Sequence, residues 1–207
     1  MLTIVDYGVT NVRRVAQAFY RLGIALRVAA EPDAVRQARA IVLPGAGTFD
    51  EDIARLRALG LEAPLYDAAQ NGVPLLGIGL GMQLLFEVRE AMDEQRGLGI
   101  LQGRVQRFPP GLPALHMGWN QIQQVRPSPL WRDVANQRYA YFVHTDHVEP
   151  RDPDIVVGTT DYGGEFASVV AQGNVFGLQC HPEKSQDVGR ALLRNFALAA
   201  GLTEGGA

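Results

Sequence analysis

The sequence has very little cysteine and no long apolar run. Its 207 residues include a single cysteine, Cys180, which excludes an internal disulfide framework and favours a reducing compartment. The longest nearly apolar stretch, residues 73–86, is too short and too rich in glycine to span a bilayer. A net charge of -3 gives no electrostatic reason to expect nucleic acid or an anionic membrane as a partner. Small molecules and other proteins remain as partners.

The rest of the composition is that of an ordinary globular protein. With 47% hydrophobic and 20% charged residues, the chain can bury a full core and suits one domain. We place this domain at residues 1–200 and expect residues 201–207 to form a disordered tail. The first residues, MLTIVDYG, enter a strand pattern without a basic region or cleavage site, so we expect a cytoplasmic protein.

Short apolar runs alternate with amphipathic segments in the first 80 residues. LTIV (2–5), IALRVA (24–29), AIVL (40–43) and VPLLGI (73–78) are predicted strands. Asn11 is expected to cap a helix that Gly23 closes. The apolar face of this helix consists of Val12, Val15, Phe19 and Leu22. The alternation predicts βαβ units, and therefore a mostly parallel sheet flanked by helices with ligands at the carboxyl ends of its strands.

The pattern changes after about residue 100. GRVQRF, NQIQQV, YAYFVH, DIVVGTT, EFASVV and NVFGLQ follow each other at hairpin-like spacing, which predicts antiparallel strands added to the sheet. A final helix is expected at about residues 187–200. The predicted fold class is therefore α/β, with added antiparallel strands in the C-terminal half.

The stretch GIGLGMQLLFE, residues 77–87, is expected to turn directly from a buried strand into a helix. Gly77 and Gly81 flank position 79 with the spacing of a nucleophile elbow, a strained turn that presents one reactive side chain. Position 79 is itself a glycine. The turn therefore has no nucleophile to present.

A second motif, QCHPEKS at residues 179–185, ends the last predicted strand. Pro182 fixes a turn that could place the Glu183 carboxylate against the His181 imidazole, orienting it and raising its basicity. Taken alone, such a motif is more often structural. Together with the elbow and the glycine-rich loop at residues 44–47, it supplies two members of a catalytic triad and an oxyanion site.

Six segments together resemble the class I, triad-type glutamine amidotransferases, whose fold is flavodoxin-like. More narrowly, they resemble the glutaminase subunits of imidazole glycerol phosphate synthases. The resemblance runs from residue 2 to about residue 198, and this family has a cysteine where the chain has Gly79. The segments are DYGVTN (6–11), LPGAGTFD (43–50), PLLGIGLGMQLLFE (74–87), HMGWN (116–120), YFVH (141–144) and GLQCHPEKS (177–185).

The resemblance implies glutamine hydrolysis through a glutamyl thioester. Position 79 would supply the thiolate, with its pKa lowered by the helix N-terminus that begins at Leu80. His181 would move the proton, and Glu183 would orient it. Backbone N–H groups of Leu80 and of the loop around Gly45 would form the oxyanion hole.

The resemblance also implies a substrate site on Gln83 and Glu87 of the elbow helix and on the main chain of Thr145. Taken alone, Gln83 could be a surface polar residue. The family usually has serine and tyrosine after FVH, and the chain has Thr145, Asp146 and His147. Asp146 and His147 put the affinity for glutamine in question.

The partner implied by the resemblance is a separate (β/α)8 cyclase subunit, which would form a heterodimer with this chain. It would use the ammonia to make imidazole glycerol phosphate and aminoimidazole carboxamide ribotide in histidine biosynthesis. No cofactor or metal is implied. The loop that carries Met117, Trp119 and Asn120 would lie at the interface, near Lys184. Alternatively, Met117 and Trp119 fill the β layer and Lys184 is a solvated charge.

Gly79 cannot attack a carbonyl, so the sequence predicts negligible glutaminase activity. Gly79 could be an engineered or recent replacement of cysteine, a natural loss, or a sequence error. Cys180 could be a relocated nucleophile, although strand alternation turns it away from the side of His181. The functional alternatives are an ammonia-generating subunit and a non-catalytic partner of a cyclase that uses free ammonia. An unrelated α/β hydrolase is disfavoured because no serine stands at the elbow.

Overall fold

The computed structural model describes residues 1–90 and 94–202. Its strands are β1 Leu2–Val5, β2 Leu26–Ala29, β3 Ala40–Gly45, β4 Leu75–Gly79, β5 Phe86–Arg89, β6 Gln95–Arg96, β7 Leu101–Arg107, β8 His116–Gln124, β9 Arg138–His144, β10 Asp146–Pro150, β11 Val156–Asp161, β12 Glu165–Gln172 and β13 Val175–Leu178. Its helices are α1 Val12–Tyr20, α2 Pro32–Arg36, α3 Phe49–Ala58, α4 Glu62–Gln70, α5 Leu80–Leu84 and α6 Gln186–Ala199.

Parallel strands form the centre of the sheet, in the order β2, β1, β3, β4 and β13. Every residue of β1, β3, β4 and β13 is buried, as expected for parallel strands that are covered on both faces. The predicted α/β fold with a parallel centre is confirmed. Because parallel strands end at the same edge, the ends of β3, β4 and β13 lie side by side.

Antiparallel strands extend the sheet beyond β13, in the order β12, β10 and β7. β11 pairs with β12 and with β8, and β8 pairs with β9. The added antiparallel strands were predicted, but the segment NVFGLQ differs from the prediction. Its strand β13 is antiparallel to β12 and parallel to β4, so it joins the two halves of the sheet.

The first and last helices pack against each other. The rings of Phe19 in α1 and Phe196 in α6 meet edge to face, with centroids 6.4 Å apart. α6 confirms the predicted C-terminal helix. Leu202 is buried and its N–H donates to the carbonyl oxygen of Ala197 at 2.9 Å, so this residue packs against the end of α6. Residues 203–207 lie outside the described residues.

Asn11 occupies the predicted N-cap position of α1, but its side chain makes no capping hydrogen bond. Asn11 has helical dihedral angles, φ -91° and ψ -6°, whereas a capping residue is normally extended so that its side chain reaches the first helical N–H groups. Both polar atoms of its side chain are buried without a hydrogen-bond partner among the described residues.

In residues 1–90 and 94–202, no helix combines the length and apolar character needed to cross a membrane.

Candidate active site

The elbow lies where β4 passes directly into α5. Gly79 has φ 61° and ψ -121°, a combination that glycine adopts freely and other residues adopt only with strain. A Cβ atom at Gly77 would lie 2.7 Å from Cα of Met82, and one at Gly81 would clash with the carbonyl oxygen of Leu43. The two flanking glycines therefore allow the tight turn and its close packing against β3.

His181 follows β13 and stands beside the elbow, because β13 and β4 are parallel neighbours. Its Nδ1 lies 2.9 Å from Oε1 of Glu183, and both side chains are buried. The N–H of His181 donates to the carbonyl oxygen of Tyr141 at 2.8 Å. A Cβ atom at Gly79 would lie 3.1 Å from Nε2 of His181. An ionised Glu183 accepts the Nδ1 proton, which leaves Nε2 as a base facing a position without a side chain.

The last residue of β3, Gly45, contacts the elbow with its carbonyl group. A Cβ atom at Gly79 would lie 3.0 Å from the carbonyl oxygen of Gly45. Gly45 therefore lies in direct contact with position 79, and its role in an oxyanion hole stays a prediction. Leu80 does line the cleft at the start of α5.

Two buried side chains hold the end of β3 from behind. The hydroxyl of Tyr7 donates to the carbonyl oxygen of Pro44 at 2.7 Å and lies 3.2 Å from Oδ2 of Asp52. Burial raises the pKa of Tyr7 well above its ordinary value, and the neighbouring Asp52 raises it further. Burial also raises the pKa of Asp52, while hydrogen bonds from Tyr7 and the Gly47 N–H oppose this rise. Neither residue was singled out from the sequence.

Gln83 lies inside the protein, contrary to the expectation that such a residue taken alone is a surface group. Its Nε2 donates to the carbonyl oxygen of Asp146 at 2.8 Å and to Oε1 of Gln179 at 3.0 Å. The side chain lines the cleft. Gln83 therefore fixes the cleft wall through β10 in addition to any contact with a ligand.

The structure does not place Glu87 on the elbow helix. α5 ends at Leu84, and Glu87 lies in β5, where its Oε2 accepts from the N–H of Gly103 and from Nη2 of Arg151, both at 2.8 Å. Because β5 pairs with β7, Glu87 is directed to the outer strands and does not line the cleft.

A cleft of about 640 Å³ opens between the elbow, the loop after β3 and the start of β10. Arg89 and Asp146 form an ion pair in its wall, with 2.6 Å between Nε and Oδ2. Thr145, predicted as a substrate contact, also lines the cleft, and its hydroxyl donates to Oδ1 of Asp146 at 3.2 Å. The remaining charged lining residues are Asp50, Arg107 and Lys184.

A chain of hydrogen bonds connects this cleft to strand β8. His144 Nδ1 lies 2.8 Å from the carbonyl oxygen of Asp146, and its Nε2 lies 2.9 Å from Nδ1 of His116. Nε2 of His116 lies 3.2 Å from Nδ2 of Asn120. A carbonyl oxygen only accepts, so Nδ1 of His144 donates to it. When both imidazoles are neutral, Nε2 of His144 then accepts from Nδ1 of His116. Burial lowers the pKa of His144 to about 3, and burial also lowers the pKa of His116.

Cys180 is fully buried, and burial raises the pKa of its thiol far above the ordinary range, with a further rise from Glu183. A thiol that stays protonated is a poor nucleophile. The structure therefore favours the interpretation of Cys180 as inert packing.

The predicted interface residues lie on a strand and not in a loop. The segment HMGWN begins β8, and Met117 and Trp119 are 62% and 47% exposed. They do not fill the β layer. Trp119 meets Tyr141 edge to face at 6.0 Å, and Nζ of Lys184 lies 5.4 Å from the centroid of the Tyr141 ring. Together these side chains form an exposed aromatic face next to the cleft.

The candidate site includes no group of three or more His, Cys, Asp or Glu side chains that could hold a metal ion, and none occurs elsewhere in the described part of the chain. The arrangement can accept a proton at His181 Nε2 and bind a small polar molecule in the cleft. It lacks a nucleophilic atom at the elbow.

Comparisons with known proteins show the family of the chain. Residues 3–200 match the family described as glutamine amidotransferase class-I. The imidazole glycerol phosphate synthase subunit HisH of Moorella thermoacetica is 44% identical over 195 residues, which cover 94% of this chain and 93% of that protein. The HisH subunit of Salinibacter ruber is 44% identical over 213 residues, which cover 100% of this chain and 98% of that protein.

Solved structures show the same fold at lower identity. One described as a glutamine amidotransferase has a TM-score of 0.77 at 21% identity and covers 96% of this chain and 98% of its own. PurLQS from Thermotoga maritima has a TM-score of 0.76 at 19% identity and covers 96% and 97%. The chain therefore belongs to the class-I glutamine amidotransferases. Within this class it belongs with the HisH subunits of imidazole glycerol phosphate synthase, as the sequence resemblance predicts.

Proposed function

We propose that this chain is the glutaminase-type subunit of an imidazole glycerol phosphate synthase and that, with Gly79 at the elbow, it does not hydrolyse glutamine. One observation carries the second part. A Cβ atom at position 79 would lie 3.1 Å from Nε2 of His181, the base of the site. Position 79 is a glycine and has no side chain. The first part is supported by the similarity to two HisH subunits, each 44% identical to this chain over nearly its whole length.

If position 79 were the cysteine of the family, its sulfur would attack the carboxamide carbon of glutamine. His181 Nε2 would take the thiol proton and then return a proton to the leaving ammonia, while Glu183 stabilises the imidazolium. A water molecule would release glutamate from the thioester. Removal of the nucleophile from a protease triad lowers kcat by roughly six orders of magnitude, so residual hydrolysis by this chain is negligible.

The partner is a cyclase subunit with a (β/α)8 barrel, bound as a heterodimer that receives ammonia through a channel. The exposed face of Met117 and Trp119, with Asn120 and Lys184 nearby, is the proposed contact surface. Exposed aromatic and methionine side chains of this kind are enriched at the centres of protein interfaces. We place the complex in the cytoplasm and assign residues 1–200 to one domain.

A second candidate is a naturally degenerate scaffold for a cyclase that runs on free ammonia. The observation in its favour is the Asp146–Arg89 ion pair in the cleft wall, because Asp146 departs from the family pattern next to the expected glutamine contact, Thr145. Both candidates predict turnover with ammonia. They differ in whether the pocket still accepts glutamine.

The test is turnover by the chain in complex with the cyclase subunit of the same organism and its nucleotide substrate. Ammonium salts should support formation of imidazole glycerol phosphate, and glutamine should not. Comparable rates with glutamine would overturn the proposed inactivity. The absence of turnover with either nitrogen source in a correctly assembled complex would overturn the proposed partnership.

A further inference from the structure

The main chain of His181 is tied to strand β9 by a closed ring of three hydrogen bonds. The N–H of His181 donates to the carbonyl oxygen of Tyr141 at 2.8 Å. The N–H of Tyr141 donates to Oγ of Ser185 at 2.9 Å, and this hydroxyl donates to the carbonyl oxygen of His181 at 2.7 Å. Ser185 is 1% exposed. One buried hydroxyl therefore links the base of the site to the neighbouring strand.

The hydroxyl of Ser185 serves a donor and an acceptor at the same time. A hydroxyl group donates one hydrogen bond and accepts others, so it can satisfy an N–H and a carbonyl oxygen together. Without it, the N–H of Tyr141 loses its acceptor, and the carbonyl oxygen of His181 keeps only the N–H of Lys184, at 3.0 Å. His181 would then be held to β9 by its own N–H alone.

Ser185 makes these contacts instead of capping a helix. It occupies the N-cap position of α6, and serine is a preferred capping residue, but its side chain makes no capping hydrogen bond. The next residue, Gln186, has φ 50°, a left-handed conformation that residues other than glycine adopt only with strain. Strain of this kind persists where the surrounding structure imposes it, and it is concentrated at functional sites. The start of α6 is therefore arranged around the contact with His181.

The position of the main chain decides whether the imidazole of His181 can act at the elbow. A Cβ atom at position 79 would lie 3.1 Å from Nε2. Glu183 orients the ring through Nδ1, but it belongs to the same turn as His181 and moves with it. Contact with Glu183 therefore does not secure the distance between Nε2 and the elbow. The hydroxyl of Ser185 does, because it connects this turn to β9.

We propose that Ser185 is a positioning residue for His181. Its hydroxyl anchors the turn at Pro182–Lys184 to β9 and thereby holds Nε2 against position 79. This proposal rests on the proposed function, because it takes His181 to be the base that acts at the elbow. Loss of the hydroxyl should weaken the action of His181 on a group at position 79 even where the protein stays folded.

Alkylation of a thiol introduced by Gly79→Cys tests the proposal without glutamine or cyclase. Iodoacetamide reacts with the thiolate, whose formation a neighbouring imidazole favours. In the Gly79→Cys chain, Ser185→Ala should lower the alkylation rate at pH 7 about tenfold and move the pH profile of the rate about one unit higher. Mass spectrometry of the peptides identifies the alkylated position. Cys180 should not react, because burial raises the pKa of its thiol.

Ser168→Ala is the matched control in the same background. Ser168 is also fully buried, and its hydroxyl accepts from that of Thr160 at 2.8 Å. Its loss should leave the alkylation rate and its pH profile unchanged. His181→Ala gives the rate without the base. Ser185→Cys keeps the side-chain volume and weakens both hydrogen bonds, so it should shift the profile in the same direction and replaces Ser185→Ala if that variant does not fold.

Three results would overturn the proposal. The first is an unchanged alkylation profile in a folded Ser185 variant, and the second is equal slowing by Ser168→Ala. The third is an equal rate with and without His181, since Ser185 cannot position a base that does not act at the elbow.

The proposed function fails or stands separately. If the profile shifts as expected but the complex with cyclase makes no product from either nitrogen source, the positioning role of Ser185 stands and the partnership is wrong. If ammonium salts support turnover but the profile does not shift, the partnership stands and the positioning role is wrong.

Discussion

Gly79 and His181 face each other so closely that a Cβ atom at position 79 would lie 3.1 Å from the imidazole Nε2. A thiol placed there would lie within reach of its base once the neighbouring atoms shift by a few tenths of an ångström, and the base is already oriented by Glu183 at 2.9 Å. A thiol at position 79 would complete the proposed triad, and introducing it has measurable consequences.

Gly79→Cys should switch on glutamate release in the complex with cyclase and its nucleotide ligand, and the ammonia-dependent rate should stay nearly unchanged. The thiol would have a proton acceptor within reach, and external ammonia does not pass through the elbow. Glutamate assays and product formation from each nitrogen source measure the two effects.

The control for this gain is His181→Ala on the restored chain, which should abolish glutamate release because the thiol loses its base. If Gly79→Cys releases no glutamate in a correctly folded complex, the disarmed-enzyme interpretation fails and the scaffold becomes the better account.

The same substitution should lower stability. A side chain at φ 61° is strained, and its Cβ atom would lie 3.0 Å from both the carbonyl oxygen of Gly45 and Cε1 of His181. We expect Gly79→Cys to reduce the free energy of unfolding by about 1–3 kcal/mol, measured by denaturant titration.

Gly173→Ala provides a matched control for the backbone strain. Gly173 has a similar φ of 57°, but a Cβ atom there would meet nothing within 4 Å. Gly79→Cys should therefore cost at least as much as Gly173→Ala. A denaturant midpoint that rises in Gly79→Cys would mean that the turn is not strained as described.

Trp119→Ala should weaken the complex with cyclase by about thirtyfold or more, because large aromatic side chains dominate binding energy at the centre of an interface. The dissociation constant from a titration of labelled cyclase measures this effect. Tyr20→Ala, which removes another exposed aromatic ring from α1, should leave the affinity unchanged. Equal effects of the two substitutions on the dissociation constant would contradict the placement of the interface on β8.

Acidification should destabilise the fold through the buried histidines. Burial lowers the pKa of His144 to about 3, so between pH 6.5 and 3 the unfolded chain binds the proton that the folded chain does not. Stability is therefore complete above pH 6.5 and falls with decreasing pH. For His144 alone, the free energy of unfolding should fall by about 2 kcal/mol between pH 7 and pH 5.

His116 and His147 should add to this loss in the same direction, because burial lowers both pKa values. Denaturant titrations at the two pH values measure the total. His144→Asn should make the difference in unfolding free energy between pH 7 and pH 5 smaller. An unchanged difference would show that His144 is protonated in the folded state.

The sequence by itself determined the features whose signal is local. Buried strands are visible as apolar runs such as AIVL and VPLL, the spacing of Gly77 and Gly81 defines the elbow, and Pro182 fixes the distance between His181 and Glu183. Each depends on neighbouring residues, so periodicity and turn chemistry are sufficient. The proximity of the elbow and His181 was implied by the combination of the two motifs, but the strand pattern did not give it, because NVFGLQ was expected to be antiparallel whereas β13 is parallel to β4.

The tertiary structure decided what depends on pairing between distant segments. Glu87 leaves the cleft because β5 pairs with β7 after a short elbow helix. Gly45 presents its carbonyl oxygen because the end of β3 packs against that helix. Arg107 and Asp146 lie opposite each other only through the register of β7 and β10. Register is a property of two segments, so no single segment of the sequence predicts which charged side chains line the cleft.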